Sequence, residues 1–464
     1  MSSSPIRVAI VGSGPAGAYA AEQLLTAKDV EVTVDMFERL ATPWGLVRAG
    51  VAPDHPNIKA VTRRYEKTAA KEGFRFFGNV EVGRDVSVEE LKAHYHAIVY
   101  AFGAAGDRRL GIAGEDLPGS HSSTEFVAWY NGHPDFCDHV FDLDATTAVV
   151  VGNGNVALDV ARMLALPRET LAATDVADHA LEALERSSIE EVVVLGRRGP
   201  AQAAFTTPEL IELSELAAAD VIVDPGETEL DPASERMVEE ADAATKKKVE
   251  ILRGYAASEP HGHSRRIVLR FFCSPLEIVG DERVEGVRIG RTELVEQEDG
   301  SLRAVVTETE ELIPAQLVFR SVGYRGVPIP GVPFDERSAT IPNDAGRVLD
   351  EPGGTQRPGE YVSGWIKRGP SGIIGTNKKD SQETTASLLE DAAAGLLPEP
   401  ADPDPDAIET LLAERAPDHI RYEHWQAIDE HERTAGEPHG RPRVKLTRRE
   451  QLLAAARAAE LARD

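Results

Sequence analysis

Gly12-Ser13-Gly14-Pro15-Ala16-Gly17 follows the apolar run Val8–Val11 and opens a helical stretch; the next strand, Val32–Phe37, ends in Glu38. Glycines at such a strand-to-helix turn allow the tight bend and close backbone approach that seat a pyrophosphate at a helix N-terminus. A carboxylate past the second strand accepts hydrogen bonds from both ribose hydroxyls. The pattern recurs at Gly152-Asn153-Gly154-Asn155-Val156-Ala157, after Ala148–Val151, but there the strand Val192–Leu195 leads to Arg197-Arg198. A 2′-phosphate is repelled by a carboxylate and matched by arginine. The first loop therefore reads as an FAD site and the second as an NADPH site. Together they predict a protein that moves electrons.

The second copy is less regular. Ala157 stands in the third glycine's place, and the arginines come later than the usual ~20-residue spacing. A polar, Ala-rich helical excursion over Pro167–Ser187 accounts for the delay.

Composition narrows the class. The chain of 464 residues is long enough for two or three domains with full cores. Its net charge of −28 argues against general affinity for nucleic acid or anionic membranes. No apolar stretch approaches the ~18–20 residues of a membrane span. The first strand begins at Ile6, leaving no room for a presequence, so the expected location is the cytoplasm. Cys137 and Cys273, far apart, cannot supply a CxxC couple, a zinc site or an iron–sulfur cluster, and no metal site is expected.

Further strands are expected at Phe74–Val82, Ala97–Phe102, Ile267–Phe272, Val284–Ile289, Leu302–Thr307, Ile313–Phe319 and Glu360–Ser363. Helices are expected over Val88–Tyr95 and from about Asp380, and Pro398–Pro405 reads as a linker. Gly103-Ala104-Ala105-Gly106 and Ser321-Val322-Gly323-Tyr324 read as crossings between domains. The fold class expected is α/β, with two three-layer Rossmann-like domains in a glutathione-reductase-like arrangement. An NADP-binding domain, residues 106–324, is inserted into an FAD-binding domain formed by 1–105 and 325–464, the latter carrying a C-terminal helical tail.

Longer motifs carry a resemblance. These are Pro43-Trp44-Gly45-Leu46-Val47-Arg48-Ala49-Gly50-Val51-Ala52-Pro53-Asp54-His55-Pro56, Val149–Leu164, Gly196-Arg197-Arg198-Gly199-Pro200 and the run from Gly364-Trp365 to Thr376-Asn377. In them, and in the terminal Gly440-Arg441-Pro442-Arg443, the chain resembles the adrenodoxin-reductase-type ferredoxin–NADP⁺ reductases nearly end to end, and looks like a bacterial member. The resemblance implies that FAD, held by the first fingerprint (Gly12, Gly14, Pro15, Ala16, Gly17), also contacts Glu38, Leu46, Val82, Trp365, Gly372, Ile373 and Ile374. It implies that NADPH contacts Gly152, Asn153, Gly154, Asn155, Val156, Arg197, Arg198, Glu209 and Gly372. It implies an enzyme taking hydride from NADPH and passing single electrons to a ferredoxin, which feeds a cytochrome P450 or similar oxidase.

Two residues are expected to help. His55 lies in the Pro-bounded loop Pro53–Pro56, and Glu212 follows Glu209 by one helical step. By resemblance, His55 and Glu212 orient the nicotinamide and relay protons. Since such ferredoxins resemble acidic proteins, docking on this acidic chain needs a local basic patch. The available clusters are Lys367-Arg368, Lys246-Lys247-Lys248 and Arg265-Arg266. Missing cysteines exclude a disulfide reductase and a cluster-bearing electron-entry subunit. A flavin monooxygenase or oxidase, and a redox sensor that binds both nucleotides without turnover, remain as alternatives.

Overall fold

A computed structural model describes residues 5–461. Its strands, in chain order, begin with β1 (Ile6–Val11), β2 (Val32–Glu38), β3 (Phe74–Gly78), β4 (Ala97–Tyr100) and β5 (Gly106–Asp107). There follow β6 (Ser120–Ser122), β7 (Thr147–Val151), β8 (Glu191–Leu195), β9 (Ala219–Val223), β10 (Arg265–Arg270) and β11 (Cys273–Val279). The remainder are β12 (Gly286–Glu296), β13 (Leu302–Pro314), β14 (Leu317–Arg320), β15 (Tyr324–Arg325), β16 (Asn343–Asp344), β17 (Arg347–Leu349) and β18 (Gln356–Val362). The chain divides into two compact units. The first comprises the residues up to Val51, His55–Asp107 and those from Gly323 on; the second comprises Ala52–Asp54 and Arg108–Val322.

In the first unit a seven-stranded sheet runs β16-β17-β18-β4-β1-β2-β3, parallel from β18 to β3. β1 is apolar almost throughout, as a strand covered on both faces must be. Its alternate residues enter different cores: Val8 and Ile10 pack with Tyr19, Leu24 and Trp425, whereas Ala9 and Val11 pack with Phe77, Leu91 and Ile408. The register Ile6↔Val32 through Val11↔Phe37 ends both strands level, so the Gly12 loop lies beside Glu38. The two-stranded ribbon β5–β15 pairs Asp107 with Tyr324 and Gly106 with Arg325, joining the points where the chain leaves and re-enters this unit.

The second unit has a six-stranded parallel sheet, β6-β14-β7-β8-β10-β9. One face is covered by helices around Leu158, Leu164 and Leu210. The other is covered by the antiparallel sheet β11-β12-β13, which contributes Ile278, Val287 and Ile289 against Val149, Val151 and Val193.

Several boundaries differ from expectation. The strand expected over Phe74–Val82 stops at Gly78, because Asn79 turns to φ 59°. The two strands expected at Leu302–Thr307 and Ile313–Phe319 are one thirteen-residue strand, β13, followed by β14 at Leu317–Arg320. The acidic stretch 308–311 does not break β13: Glu310 and Glu311 pair with Gly290 and Ile289 of β12 beside a register shift, and the stretch faces water on its outer side. The helix expected from Asp380 begins at Ile374, two residues after Gly372 at φ 79°. Pro167–Ser187 holds two short helices, Arg168–Ala172 and Asp178–Glu185.

The tail is bound into the first unit. Gly78 and Ile420 exchange backbone hydrogen bonds of 2.8 and 2.9 Å. Glu432, on the helix Tyr422–Gly436, takes a two-pronged ion pair from Arg48 (2.9 and 2.6 Å) in the Pro43–Pro56 motif. Arg443 and the Leu446 N–H also donate to that carboxylate. Lys445 Nζ donates to the Arg48 carbonyl, and the Arg48 guanidinium lies over the Trp425 ring.

Candidate nucleotide-binding sites

The first fingerprint loop needs its glycines. At φ 104°, Gly12 runs against β4's end: a Cβ there would come within 2.6 Å of the Phe102 Cα. Gly14, the residue before the helix Pro15–Leu24, faces open space, and the helix has no side-chain cap. Pro15 opens that helix without forfeiting a needed N–H, and Ala16 and Gly17 follow, buried. Glu38 accepts from the Ser13 N–H (3.1 Å), the Ser13 hydroxyl (2.6 Å) and the Leu40 N–H (3.0 Å). The Ser13 hydroxyl accepts in turn from the Trp44 N–H. Trp44 is buried at φ 83°, and its indole N–H has no partner among the described residues. Leu46 begins the short helix just beyond it, and Val82 is buried in the opposite core.

The Trp365 turn converges on the same loop. Gly364, at φ 82°, sits so close to Ala16 that a Cβ would approach the alanine methyl to 2.6 Å. Ser381 donates to the Ala16 carbonyl at 2.9 Å, while Asp380 accepts from the Gly364 N–H. The half-buried Trp365 donates to the Ser371 carbonyl and lies 5.2 Å from the Tyr324 ring. Gly372 and Ile373 are exposed and Ile374 half-buried where the helix Ile374–Ala393 begins. An open glycine cradle and an uncapped helix start, with the Glu38 carboxylate at the end of β2, could hold FAD's diphosphate and ribose.

The second loop repeats the first with different bracing. Gly152 is at φ 127°, where a Cβ would collide with the Ser321 carbonyl; Gly154 faces open space. The Asn153 carbonyl accepts from Ala204 (3.1 Å) and Phe205 (2.9 Å), and the Asn155 side chain accepts from Thr206. Val156 packs against the helical core. Arg197 and Arg198 are exposed, and neither side chain has an ion pair or hydrogen bond among the described residues. Their backbone is pinned: Thr292 donates to the Arg197 carbonyl at 2.7 Å, and the Phe272 N–H to the Arg198 carbonyl at 3.2 Å. An open groove of about 480 Å³, lined by Arg198, Gln202, Met237 and Thr245 among others, lies beside them. Two cations held in place without carboxylates, in so acidic a chain, fit a phosphate monoester.

The helix Thr207–Leu213 carries Glu209, buried, and Glu212, half-buried. Sequence reading missed their partner. Arg162, whose side chain is 2% exposed, reaches Glu209 at 3.2 Å, Glu212 at 3.1 Å and Asp159 at 3.3 Å. It also forks onto Asp54 at 3.0 and 2.8 Å. Burial pushes the Asp159 carboxyl up to about 8 against the pull of Arg162, with Glu209, Asp54 and Glu212 adding to the rise. A charged residue inside the apolar run Val156–Leu166 was the available signal for an ion-paired arginine. His55 is buried and precedes the short helix Pro56–Lys59.

The basic clusters expected for docking are largely engaged within the protein. Lys367 is buried and bound to Asp380 at 3.1 Å and Glu383 at 2.5 Å, so it offers no free charge. Arg368 bends back to the Ser371 carbonyl and the Asn377 side chain. Lys248 is buried against the Ala203 carbonyl, and Lys247 pairs with Glu250. Arg265 donates to the Leu164 and Leu166 carbonyls, and Arg266 pairs with Glu191. Only Lys246 of the seven is exposed without such a partner.

Two Rossmann-like nucleotide sites define an oxidoreductase of the pyridine-nucleotide type, and residues 6–198 match the family model described as pyridine nucleotide-disulphide oxidoreductase. The two cysteines form no disulfide, and burial pushes the Cys273 thiol up to about 11. The chain is 52% identical to the NADPH-ferredoxin reductase FprA of Mycobacterium leprae, over 96% of this chain and 97% of that one. It is 42% identical to the mitochondrial NADPH:adrenodoxin oxidoreductase of Arabidopsis thaliana, over 98% and 96%. The solved structure of Mycobacterium tuberculosis FprA in complex with NADPH superposes with a TM-score of 0.91 at 51% identity, covering 98% of this chain and 100% of that one. The chain belongs to the adrenodoxin-reductase-type ferredoxin–NADP⁺ reductases. No helix among the described residues is long and apolar enough to cross a membrane.

Proposed function

We propose that this chain takes hydride from NADPH onto FAD and returns electrons singly to a ferredoxin, with FAD held by the first unit and NADPH by the second. The observation that carries the reading is the contrast between the two ribose ends: Glu38 beside the first loop, unpaired Arg197 and Arg198 beside the second. When bound, the two cofactors supply the redox chemistry themselves, hydride passing from nicotinamide to flavin and two electrons leaving one at a time to iron–sulfur acceptors. The protein's work is to hold and orient. Glu38 and the Gly12–Gly17 loop would hold one nucleotide, while the N–H groups of the helix start at the Gly372–Ile374 turn would favour negative charge nearby. Arg197, Arg198 and Glu209 fix the other.

His55 and Glu212 act at the nicotinamide end. Replacing His55 with Ala should slow flavin bleaching by NADPH ~100-fold, the usual cost of an ångström-scale misplacement, without releasing FAD. Glu212→Ala should slow the same step less. Rates equal to the parent's in both variants would remove them from the reaction.

Docking falls to the helix Thr62–Ala69 of the first unit. Residues 59–71 carry five basic side chains against one acidic. Arg63, Lys67 and Lys71 are exposed without ion-pair partners among the described residues, while Arg64 pairs with Glu22. The helix's inner face is tied to the first nucleotide loop: Tyr65 lies 5.4 Å from Trp44, the residue before Gly45. An acidic ferredoxin steered by this face should be reduced far more slowly as the Debye length falls from ~10 Å at 0.1 M salt to ~3 Å at 1 M. Ferricyanide is an unsuitable control because it is charged; a neutral quinone should respond little. A Lys67→Glu/Lys71→Glu variant with the parent's salt response would move docking elsewhere.

A further inference from the structure

Arg162 sits on the helix Asn155–Ala165, which opens at the second fingerprint. Its guanidinium is the cation shared by four carboxylates from three segments: Asp54, its own helix's Asp159, and Glu209 with Glu212 from the helix Thr207–Leu213. Here its planar fork spends two nitrogens on Asp54, the residue directly before His55, and turns the third, Nη1, to both glutamates. Glu212 is more exposed than its neighbours, with a side chain 38% accessible, and nothing in a solvated helix carboxylate fixes its rotamer unless a partner does so. Burial and the surrounding carboxylates push the Asp159 carboxyl up, and the hydrogen bonds of the fork go to Asp54 and the two glutamates.

We infer that Arg162 is a positioning residue for the hydride step: one rigid fork sets Glu212 and Asp54 against the helix that would hold the NADPH pyrophosphate. This rests on the role given above to Glu212. Lysine keeps the charge but cannot form the fork.

The test compares the FAD-loaded full chain with Arg162→Lys, Glu212→Gln and the double variant. Stopped-flow bleaching at increasing NADPH gives a limiting rate, and titration of the oxidised protein with NADP⁺ gives a Kd. Arg162→Lys is expected to cut the limiting rate ~10-fold or more while the NADP⁺ Kd stays within about twofold, and the double variant should be no slower than the slower single. A parent-like rate in Arg162→Lys beside a slow Glu212→Gln overturns the positioning role and leaves Glu212's standing. So does a double variant whose losses multiply. A parent-like rate in Glu212→Gln removes the role of Glu212, and this inference with it. If Arg162→Lys does not yield folded holoenzyme, Asp54→Asn carries the test, loosening the other arm of the fork; the same rate loss supports the role and a parent-like rate overturns it.

Discussion

An Arg197→Ala/Arg198→Ala double variant should lose most of its NADPH affinity and leave NADH almost where it was. Each charge-assisted contact with a 2′-phosphate contributes roughly 1.5–3 kcal/mol, so the pair is expected to carry ~3–6 kcal/mol of discrimination, or about 10²- to 10⁴-fold. Both side chains are exposed, and solvent screening places the expected value toward the lower end. Because neither side chain bonds to anything else in the described protein, thermal stability should not change. Parallel titrations with NADP⁺ and NAD⁺, with a melting curve for each protein, check the expectation. Equal losses for both nucleotides would show the arginines shaping the loop instead of reading the phosphate.

Glu432→Gln should be the most damaging change outside the nucleotide loops. The carboxylate is fully buried between Arg48 and Arg443, and breaking such a pair from one side typically costs about 3–5 kcal/mol because a buried cation loses its counter-charge. Arg48 belongs to the segment that carries Trp44 and Leu46, so loss of FAD should accompany the drop in stability, visible as flavin released at lower temperature than in the parent. Burial opposes ionisation of Glu432, but Arg48 first and then Arg443 outweigh it and hold the carboxyl below its ordinary range. Its stabilisation is therefore complete above the unfolded-state pKa and disappears as pH falls through the lower, folded-state value. Acid should release FAD from the parent, and the variant should have lost that part of the acid response. A variant that holds FAD as tightly as the parent would show that the tail only decorates the fold.

The parts of the molecule that local chemistry determines were readable in advance. Apolar runs bounded by glycine turns announced β1, β2, β7 and β8. Long-range pairing hid the rest. The continuity of β13 depends on β12 beside it, which the acidic stretch 308–311 does not disclose. Lys367 looked like surface charge because lysine usually is; Asp380 and Glu383, thirteen and sixteen residues on, reach it only once the helix Ile374–Ala393 folds back. The Arg162 cluster gathers residues as far apart as 54 and 212, a distance at which no sequence spacing is informative.

The β5–β15 ribbon also bears on how such a molecule arises and how it can be rebuilt. Gly106 and Arg325 are cross-strand neighbours, so more than two hundred residues enter and leave the first unit through a single doorway. To that unit's sheet, everything between them is equivalent to the loop of a hairpin. Lengthening a loop adds closure entropy only logarithmically, which is why a host can accept an entire guest at such a place without redrawing its own core. A short turn joining the two ribbon strands would restore an uninterrupted hairpin, and a foreign guest could be spliced in at the same address.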